Sequence, residues 1–405
     1  MTRLATYTVR KQIYILFFFG YILPNYAQNR PAVHDFQVAL EAEYRHFFET
    51  GKFPNQEQQF PSFAIKPSYS LGWNHQKNIL KFEGFYRYDI DKKRTHYDIR
   101  EFYYQKVIQN FEVNIGVKQL FWGVTESNHL VDIINQTDQV ERFDGEQKLG
   151  QPMLQFSYTT HNLGTFDIFY LPYFRKRRYL GEKSRLRFST VIDDELIGFE
   201  SKTKEWHQDF AVRWSYSFSM IDLGISHFYG TGREPVLYFN SNGTITGLYP
   251  IINQTGLDLQ LTHNAWLWKL ETIYRTSKFQ DMFALTAGLE YTFNNIANSG
   301  LDIGLLGEYL YDNRGKLALS TLQNDAFLAT RIAFNDTHST QLLLGGIVDI
   351  ESYAKIFSLE ASRRLGNNFK IALEGRVFTA ISDKDFILKN IENDSFLRLS
   401  LFTYF

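Results

Sequence analysis

The chain contains no cysteine among its 405 residues, which excludes a disulfide framework, a cysteine-ligated zinc site and thiol catalysis. It has no proline-, glycine- and serine-rich linker that would separate domains. The formal net charge is -1, so nothing in the total charge points to nucleic-acid binding. Apolar runs of about 20 residues are also missing, which excludes a bundle of membrane-spanning helices.

Aromatic residues are abundant instead. They make up 17% of the chain, with 37 phenylalanines and 25 tyrosines. The mean hydropathy is nevertheless negative, at -0.30. A chain that is rich in aromatics, polar on average and free of long apolar runs is typical of a wall whose alternate residues face lipid and water.

The N-terminus has the features of an export signal. Basic residues precede an apolar stretch at 13–23, which is too short to span a bilayer as a helix. Cleavage is expected before Gln28, so we predict a signal peptide over 1–27 and a mature protein over 28–405. A membrane-anchoring helix is the alternative interpretation of this segment.

The rest of the chain repeats one pattern, a stretch of alternating residues followed by a turn. In 79–89, for example, Phe82 and Tyr86 fall on one face while Glu83 and Arg87 fall on the other. Successive side chains of a β-strand point to opposite faces, so each stretch forms a strand with one apolar and one polar face. A helix would need a period of 3.6 residues, which no long segment shows.

Similar stretches supply nineteen candidate strands in total. The other eighteen lie at 36–48, 61–73, 95–107, 111–121, 152–160, 165–174, 194–204, 209–218, 221–229, 254–263, 266–276, 283–292, 301–312, 324–334, 339–350, 355–365, 369–379 and 395–405. Because a bacterial barrel has an even strand number, we infer that one strand near 184–192 is missed and that one of the strands assigned elsewhere is false. The predicted number is 18, with 16 and 20 as alternatives.

The links between the strands are of two kinds. Short, turn-like links at one rim are expected to face the periplasm, and longer polar links at the other rim are expected to face outward. The long links lie at 49–60, 122–151, 175–193, 230–253, 313–323 and 380–394. The predicted fold class is therefore all-β, a transmembrane antiparallel up-and-down β-barrel in the outer membrane.

The last eleven residues form an amphipathic strand that ends on an aromatic residue. Leu397, Leu399, Leu401 and Phe405 share one face. This stretch resembles the terminal insertion signal of outer-membrane barrels, which implies recognition by the barrel-assembly machinery. A soluble β-sandwich is the rival interpretation, but it would divide the chain into units of about 100 residues.

The link at 122–151 is too apolar between His129 and Ile134 for a loop in solvent, so we expect it to fold inward and narrow the barrel. It is acidic, and a basic cluster at 175–187 follows it. That cluster could attract anionic solutes, contact lipopolysaccharide phosphates or pair with the acidic loop. The predicted pore-lining or constriction residues are Glu126, Asp132, Asp138, Arg175, Lys176, Arg177, Arg178, Arg185, Arg187, Arg213, Glu290 and Arg331.

The sequence gives little evidence for catalysis or cofactor binding. The ten histidines are scattered, and the sequence contains no HExxH, GxSxG or P-loop pattern. The remaining catalytic candidate is the pair Asp193 and Asp194 with His207 or His161. We therefore expect no enzyme activity, no cofactor and no metal site.

Four segments carry a family resemblance: 122–138, 144–153, 230–235 and 266–269. They resemble a group of uncharacterised porin-like outer-membrane proteins of Gram-negative bacteria, which carry a Trp-Gly loop leading into an Asp-x-x-Asn segment. The resemblance implies a porin-like barrel, distantly like the alginate-export barrels, and no substrate. No functional residue is carried over from it.

The function predicted from the sequence is a porin-like channel for passive diffusion of small hydrophilic, possibly anionic, solutes. A non-conducting structural or adhesin-type barrel is the alternative, and an outer-membrane hydrolase is a third. The expected partners are outer-membrane lipid, lipopolysaccharide, small solutes and further copies of the chain, but no nucleic acid.

Overall fold

A computed structural model describes residues 32–315, 318–383 and 385–405 of the chain. The predicted signal peptide at 1–27 lies outside these residues. Eighteen antiparallel strands form one closed sheet, and each strand pairs with the next barrel strand along the chain. The predicted fold class and the predicted strand number are therefore confirmed.

The barrel strands follow one another along the chain. They are β1 (Val33–Phe47), β2 (Gln59–Trp73), β3 (Asn78–Asp89), β4 (His96–Ile108), β5 (Phe111–Lys118), β6 (Gln151–Thr160), β7 (Gly164–Leu171), β9 (Asp209–Phe218), β10 (Ile221–Thr231), β13 (Ile251–His263), β14 (Trp266–Ser277), β15 (Met282–Ile296), β16 (Leu301–Asp312), β17 (Asn324–Ala333), β18 (Gln341–Asp349), β19 (Lys355–Leu365), β20 (Phe369–Thr379) and β21 (Phe396–Tyr404).

The first and last strands close the barrel. Strand β21 pairs with β1 in a register that places Tyr404 opposite Ala39. The backbone N–H of Phe405 donates to the carbonyl of Val38 at 3.0 Å, and the N–H of Val38 donates back at 3.2 Å. Closure leaves no strand edge unpaired, as a sheet in lipid requires.

Two expected strands are wrong. The stretch at 194–204 contains only the three-residue strand β8 (Ile197–Phe199), and no strand lies at 184–192. Strand β8 pairs with β12 (Ile245–Tyr249), which pairs with β11 (Val236–Phe239) in a small sheet separate from the barrel. Ile197 and Tyr249 are buried between the loops that carry this sheet, so their apolar pattern reflects loop packing instead of a barrel wall.

The two faces of the wall differ as the alternation predicts. In β3, Tyr86 and Tyr88 are exposed on the outside, while Arg87 and Asp89 are buried inside. Large apolar side chains outside and charged side chains inside are the pattern of a barrel in lipid. Among the described residues, no helix is long and apolar enough to cross a membrane.

The two rims also differ. Short turns such as 74–77 and 109–110 lie at the rim where the first barrel strand begins and the last one ends. The long links lie at the opposite rim. The longest link is 172–208, whereas the longest of the links predicted from the sequence is 122–151. The difference arises because 194–204 is not a strand of the barrel wall. A short helix, α1 (Phe386–Asn390), belongs to the last long link.

Candidate functional site

The link between β5 and β6, residues 119–150, enters the barrel, and we call it the inward loop. Val131 and Ile134 are fully buried within it. They belong to an apolar cluster with wall residues that include Phe169, Phe228 and Ile273. The inward loop is therefore packed against one side of the wall, the side built around β6 to β15.

A wall carboxylate holds the first part of the inward loop. Glu271 of β14 is fully buried, and its Oε1 accepts hydrogen bonds from the N–H groups of Val124 at 2.7 Å and Thr125 at 3.0 Å. The Thr125 hydroxyl donates to the same oxygen at 2.7 Å. The N–H of Val131 donates to Oε2 at 3.2 Å.

A second wall carboxylate acts in the same way. Glu308 of β16 accepts hydrogen bonds from the N–H groups of Glu126 at 2.7 Å and Ser127 at 2.9 Å. The Ser127 hydroxyl donates to it at 2.5 Å. Hydrogen bonds to a carboxylate are roughly twice as strong as neutral ones, so we call Glu271 and Glu308 the carboxylate clamps of the inward loop.

Wall arginines hold the second part of the inward loop. Arg100 of β4 pairs with Asp138 at 2.5 Å, and Arg87 of β3 pairs with Glu141 at 2.9 Å. Burial opposes ionisation of Asp138, but His96 and Arg100 outweigh it and lower the pKa of this carboxyl to about 2. The inward loop is thus tied to the wall at both ends.

Asp132 lies in the inward loop as well. Lys148 of the same loop lies 3.2 Å from its carboxylate, and the N–H of Trp122 donates to it at 3.4 Å. Burial nevertheless raises the pKa of Asp132 above its ordinary value, against the pull of Lys148. Asp132 is among the residues that line the outer cavity described below, although its side chain is almost fully buried.

The basic cluster does not form a free positive rim. Arg175 pairs with Asp98 of β4 at 2.5 Å, and Lys176 donates to the carbonyl of Asp194 at 3.1 Å. Arg185 is fully buried, where it pairs with Asp394 at 2.7 Å, and it lines none of the cavities described below.

Two other members of the cluster face a cavity. Arg177 donates to the side chain of Gln136 and the carbonyl of Arg233, and Arg187 donates only to backbone carbonyls. Arg178 forms no ion pair within the part of the chain that the structure describes. The cluster is therefore divided between structural and cavity-lining roles.

Three of the predicted pore-lining residues belong to wall strands, and each of them has a different partner. Arg213 forms a two-pronged ion pair with Asp258 at 2.7 and 2.8 Å behind the inward loop. Glu290 lies 3.6 Å from Lys269. Arg331 donates to Glu126 at 2.5 Å, so this pair joins the wall to the inward loop.

Among the described residues, two cavities are lined in part by the inward loop. The outer cavity, of about 460 Å³, lies under the long links, and the inner cavity, of about 420 Å³, lies toward the other rim. Glu126, Leu343 and Glu360 line both of them. The cavities therefore meet at these three residues, and we call this place the neck.

Ion pairs surround the neck on the inward loop and on the wall of β19 and β20, and the pair of Arg376 with Asp144 joins the loop to the wall. Arg376 contacts Glu360 at 2.8 Å and Asp144 at 3.4 Å. Arg142 contacts Asp144 and Glu146, each at 3.4 Å. The neck is therefore a ring of mixed charge, and such rings sort solutes by charge.

Sequence reasoning missed several residues of this site. The residues predicted to line or constrict the pore do not include Glu271, Glu308, Glu360 or Arg142. The clamps lie at least 140 residues from the amides that they bind. No local pattern in one sequence carries a contact over that separation.

The catalytic candidates are not brought together. His161 lies in the turn after β6, at the rim opposite to Asp193 and Asp194. His207 contacts Asp209 at 2.7 Å instead. Among the described residues, no group of three or more histidine, aspartate or glutamate side chains is placed to hold a metal ion.

No protein-family model and no curated protein matches the chain. Solved structures do match it. OccAB3 of Acinetobacter baumannii is 8% identical, with a TM-score of 0.58 over 92% of this chain and 99% of that chain. A BenF-like porin from Pseudomonas fluorescens is 10% identical, with a TM-score of 0.54 over 92% and 98%.

The Escherichia coli protein Wzi is also similar. It is 9% identical, with a TM-score of 0.53 over 91% of this chain and 84% of that chain. Wzi is described as a carbohydrate-binding outer-membrane β-barrel involved in group 1 capsule assembly. At such low identity the three likenesses concern the fold. The chain has the fold of the porin-like barrels of the outer membrane, and this fold places it in that membrane.

Proposed function

We propose that the protein is a channel for passive diffusion of small hydrophilic solutes across the outer membrane, with the neck as its narrowest part. One observation carries this proposal. The inward loop is held against the wall around β6 to β15, and two cavities meet between the loop and the opposite wall, at Glu126 of the loop and at Leu343 and Glu360 of the wall. The similarity to porins agrees with it.

The charge of the solutes needs a separate argument. An anion preference would follow from a free basic cluster at 175–187, but Arg175 and Arg185 already pair with carboxylates. The cluster as a whole therefore does not support anionic solutes. The proposed channel takes hydrophilic solutes because charged groups line both cavities.

The test is single-channel recording in a planar bilayer. We expect discrete current steps from the refolded protein. Leu343→Trp places a large side chain at the neck and should lower the conductance. Leu344→Trp is the matched control, because Leu344 is the next residue of the same strand and is exposed on the lipid face.

Two results would contradict the proposal. One is a barrel that inserts correctly, as shown by its heat-modifiable mobility on a gel, but gives no current. The other is an equal conductance for Leu343→Trp, Leu344→Trp and the unmodified protein. The second result would mean that the current does not pass the neck.

A non-conducting surface barrel is the second candidate function, because loops fill much of the outer half of the lumen. Phe174, Ile192 and Tyr249 form one buried cluster there, and Leu186, Leu388 and Ile391 belong to another. The similarity to Wzi favours carbohydrate as the ligand of such a barrel. A silent barrel that binds extracellular polysaccharide would favour this candidate.

A further inference from the structure

The outer cavity contains a group of charged residues, which we call the outer station. Arg314 contacts Glu234 at 3.1 Å and Asp312 at 2.7 Å. Arg275 contacts Glu234 at 3.7 Å. Arg177 is near enough to favour the charged form of Glu234, and it donates hydrogen bonds only to neutral groups.

The outer station therefore holds three guanidinium groups against two carboxylates. All five side chains line the outer cavity. Arg187 lines the same cavity and has only carbonyl partners, so it adds to the positive excess. A concave site with excess charge of one sign concentrates ions of the opposite sign.

The neck has the opposite excess. Arg142 and Arg376 together pair with Asp144, Glu146 and Glu360, which gives two guanidinium groups against three carboxylates. Glu146 and Glu360 are the most exposed of these carboxylates, at 50% and 35% of the side chain.

The remaining charges around the neck are balanced. Glu126 and Glu290 pair with Arg331 and Lys269, two carboxylates against two cations. Glu374 pairs with the buried Arg398. These groups therefore leave the negative excess of the neck unchanged.

A solute in the outer cavity thus lies between a positive and a negative station. We infer that the channel prefers zwitterions, small molecules that carry one carboxylate and one ammonium group, with the carboxylate toward the outer station and the ammonium group toward the neck. This inference rests on the proposed channel function. It names the solute class and the two sets of residues that would recognise it.

The size of the effect follows from Coulomb's law. One unit charge at about 5 Å in water-like surroundings changes the local concentration of an ion about fourfold. A neutral solute gains nothing, and a solute with one charge is attracted by one station and repelled by the other. A zwitterion is attracted by both.

The test is swelling of proteoliposomes in L-glutamine and in ribose, a zwitterion and a neutral solute of similar size. We expect glutamine to enter several times faster than ribose. Glu146→Gln and Arg177→Gln should each lower the ratio of the two rates by about fourfold, since each removes one charge at roughly 5 Å. Glu195→Gln and Lys202→Gln are the controls, because both residues are exposed on outer links and line neither cavity.

Current measurements in a potassium chloride gradient give a second readout. Glu146→Gln should move the ion preference toward chloride, and Arg177→Gln should move it toward potassium. Equal entry of glutamine and ribose would overturn the inference, and so would a shift of both variants in the same direction. Vesicles that admit neither solute would instead refute the channel function itself.

Discussion

Removal of the carboxylate clamps tests whether the inward loop is fixed by the wall. In Glu271→Gln, an NH₂ group replaces one carboxylate oxygen, so at least one of the donors at Val124, Thr125 and Val131 faces another donor. A buried donor without an acceptor costs about 1 to 3 kcal/mol, and the remaining bonds lose their charge assistance. We estimate a loss of about 3 kcal/mol in the docking free energy of the loop.

The apolar contacts of the inward loop oppose undocking. Burial of Val131, Ile133 and Ile134 contributes roughly 1.5 to 3 kcal/mol for each side chain. One substitution should therefore leave the loop docked. The double variant Glu271→Gln/Glu308→Gln loses about 6 kcal/mol by the same reasoning, which is similar to the apolar contribution. The arginine pairs of Asp138 and Glu141 should then hold the loop alone, so it should open far more often.

Single-channel recording and limited proteolysis measure this opening. We expect the double variant to show larger and noisier current steps and faster tryptic cleavage at Arg142 and Lys148. Asp222→Asn is the control, because Asp222 lies on the inner face of β10 and has no contact with the inward loop among the described residues. Unchanged conductance together with unchanged cleavage in the double variant would refute the clamp.

Two further predictions concern stability. The depressed pKa of Asp138, about 2 in the folded protein, contributes stability that is present above the ordinary carboxyl pKa and is lost as the pH falls toward about 2. Asp138→Asn should therefore lower the unfolding temperature at pH 7 and have little effect near pH 2. Gly116 has a φ of +134°, and a Cβ there would lie 2.2 Å from the carbonyl oxygen of Phe102. Gly116→Ala should therefore destabilise the barrel by roughly 1 to 3 kcal/mol or more, measured by the temperature at which the folded gel band disappears.

Both predictions have matched controls. Asp193→Asn removes an exposed carboxylate of an outer link and should not change the pH dependence of unfolding. Gly243→Ala changes a glycine that also has a positive φ, +81°, but has nothing within 4 Å. An equal loss of stability at Gly116 and Gly243 would mean that backbone strain, and not the clash with Phe102, sets the cost.

Much of the fold could be predicted from the sequence because alternate residues of a barrel strand face lipid and lumen, and these two environments favour different residue types. Tyr86 and Arg87 are neighbours in the chain and lie on opposite faces of β3. The same reasoning failed at 194–204, where Ile197 and Phe199 alternate as in a wall but pair with β12 between the loops. Alternation of apolar and polar residues indicates that one face of a strand is covered. It does not indicate whether lipid or a neighbouring loop covers that face.

The candidate site was predicted less well, for a different reason. Two charges of the neck, Glu360 and Arg376, lie on wall strands, where the alternation with lipid-facing residues assigns them to the lumen. The partners of such charges could not be assigned, because Glu126 meets Arg331 across 205 positions of the chain. Arg185 shows the same difficulty. It belongs to a basic run of the sequence, which suggests an exposed residue, but in the structure it is buried against Asp394.

The carboxylate clamps also have a consequence for the order of assembly. The inward loop follows β5 in the chain, but the groups that hold it belong to β14 and β16. It cannot dock until those strands are in place, and contacts between such distant positions form late because closing a long loop is costly in entropy. The lumen must therefore stay wide while the wall is built, and the passage reaches its final width only when most of the barrel has assembled.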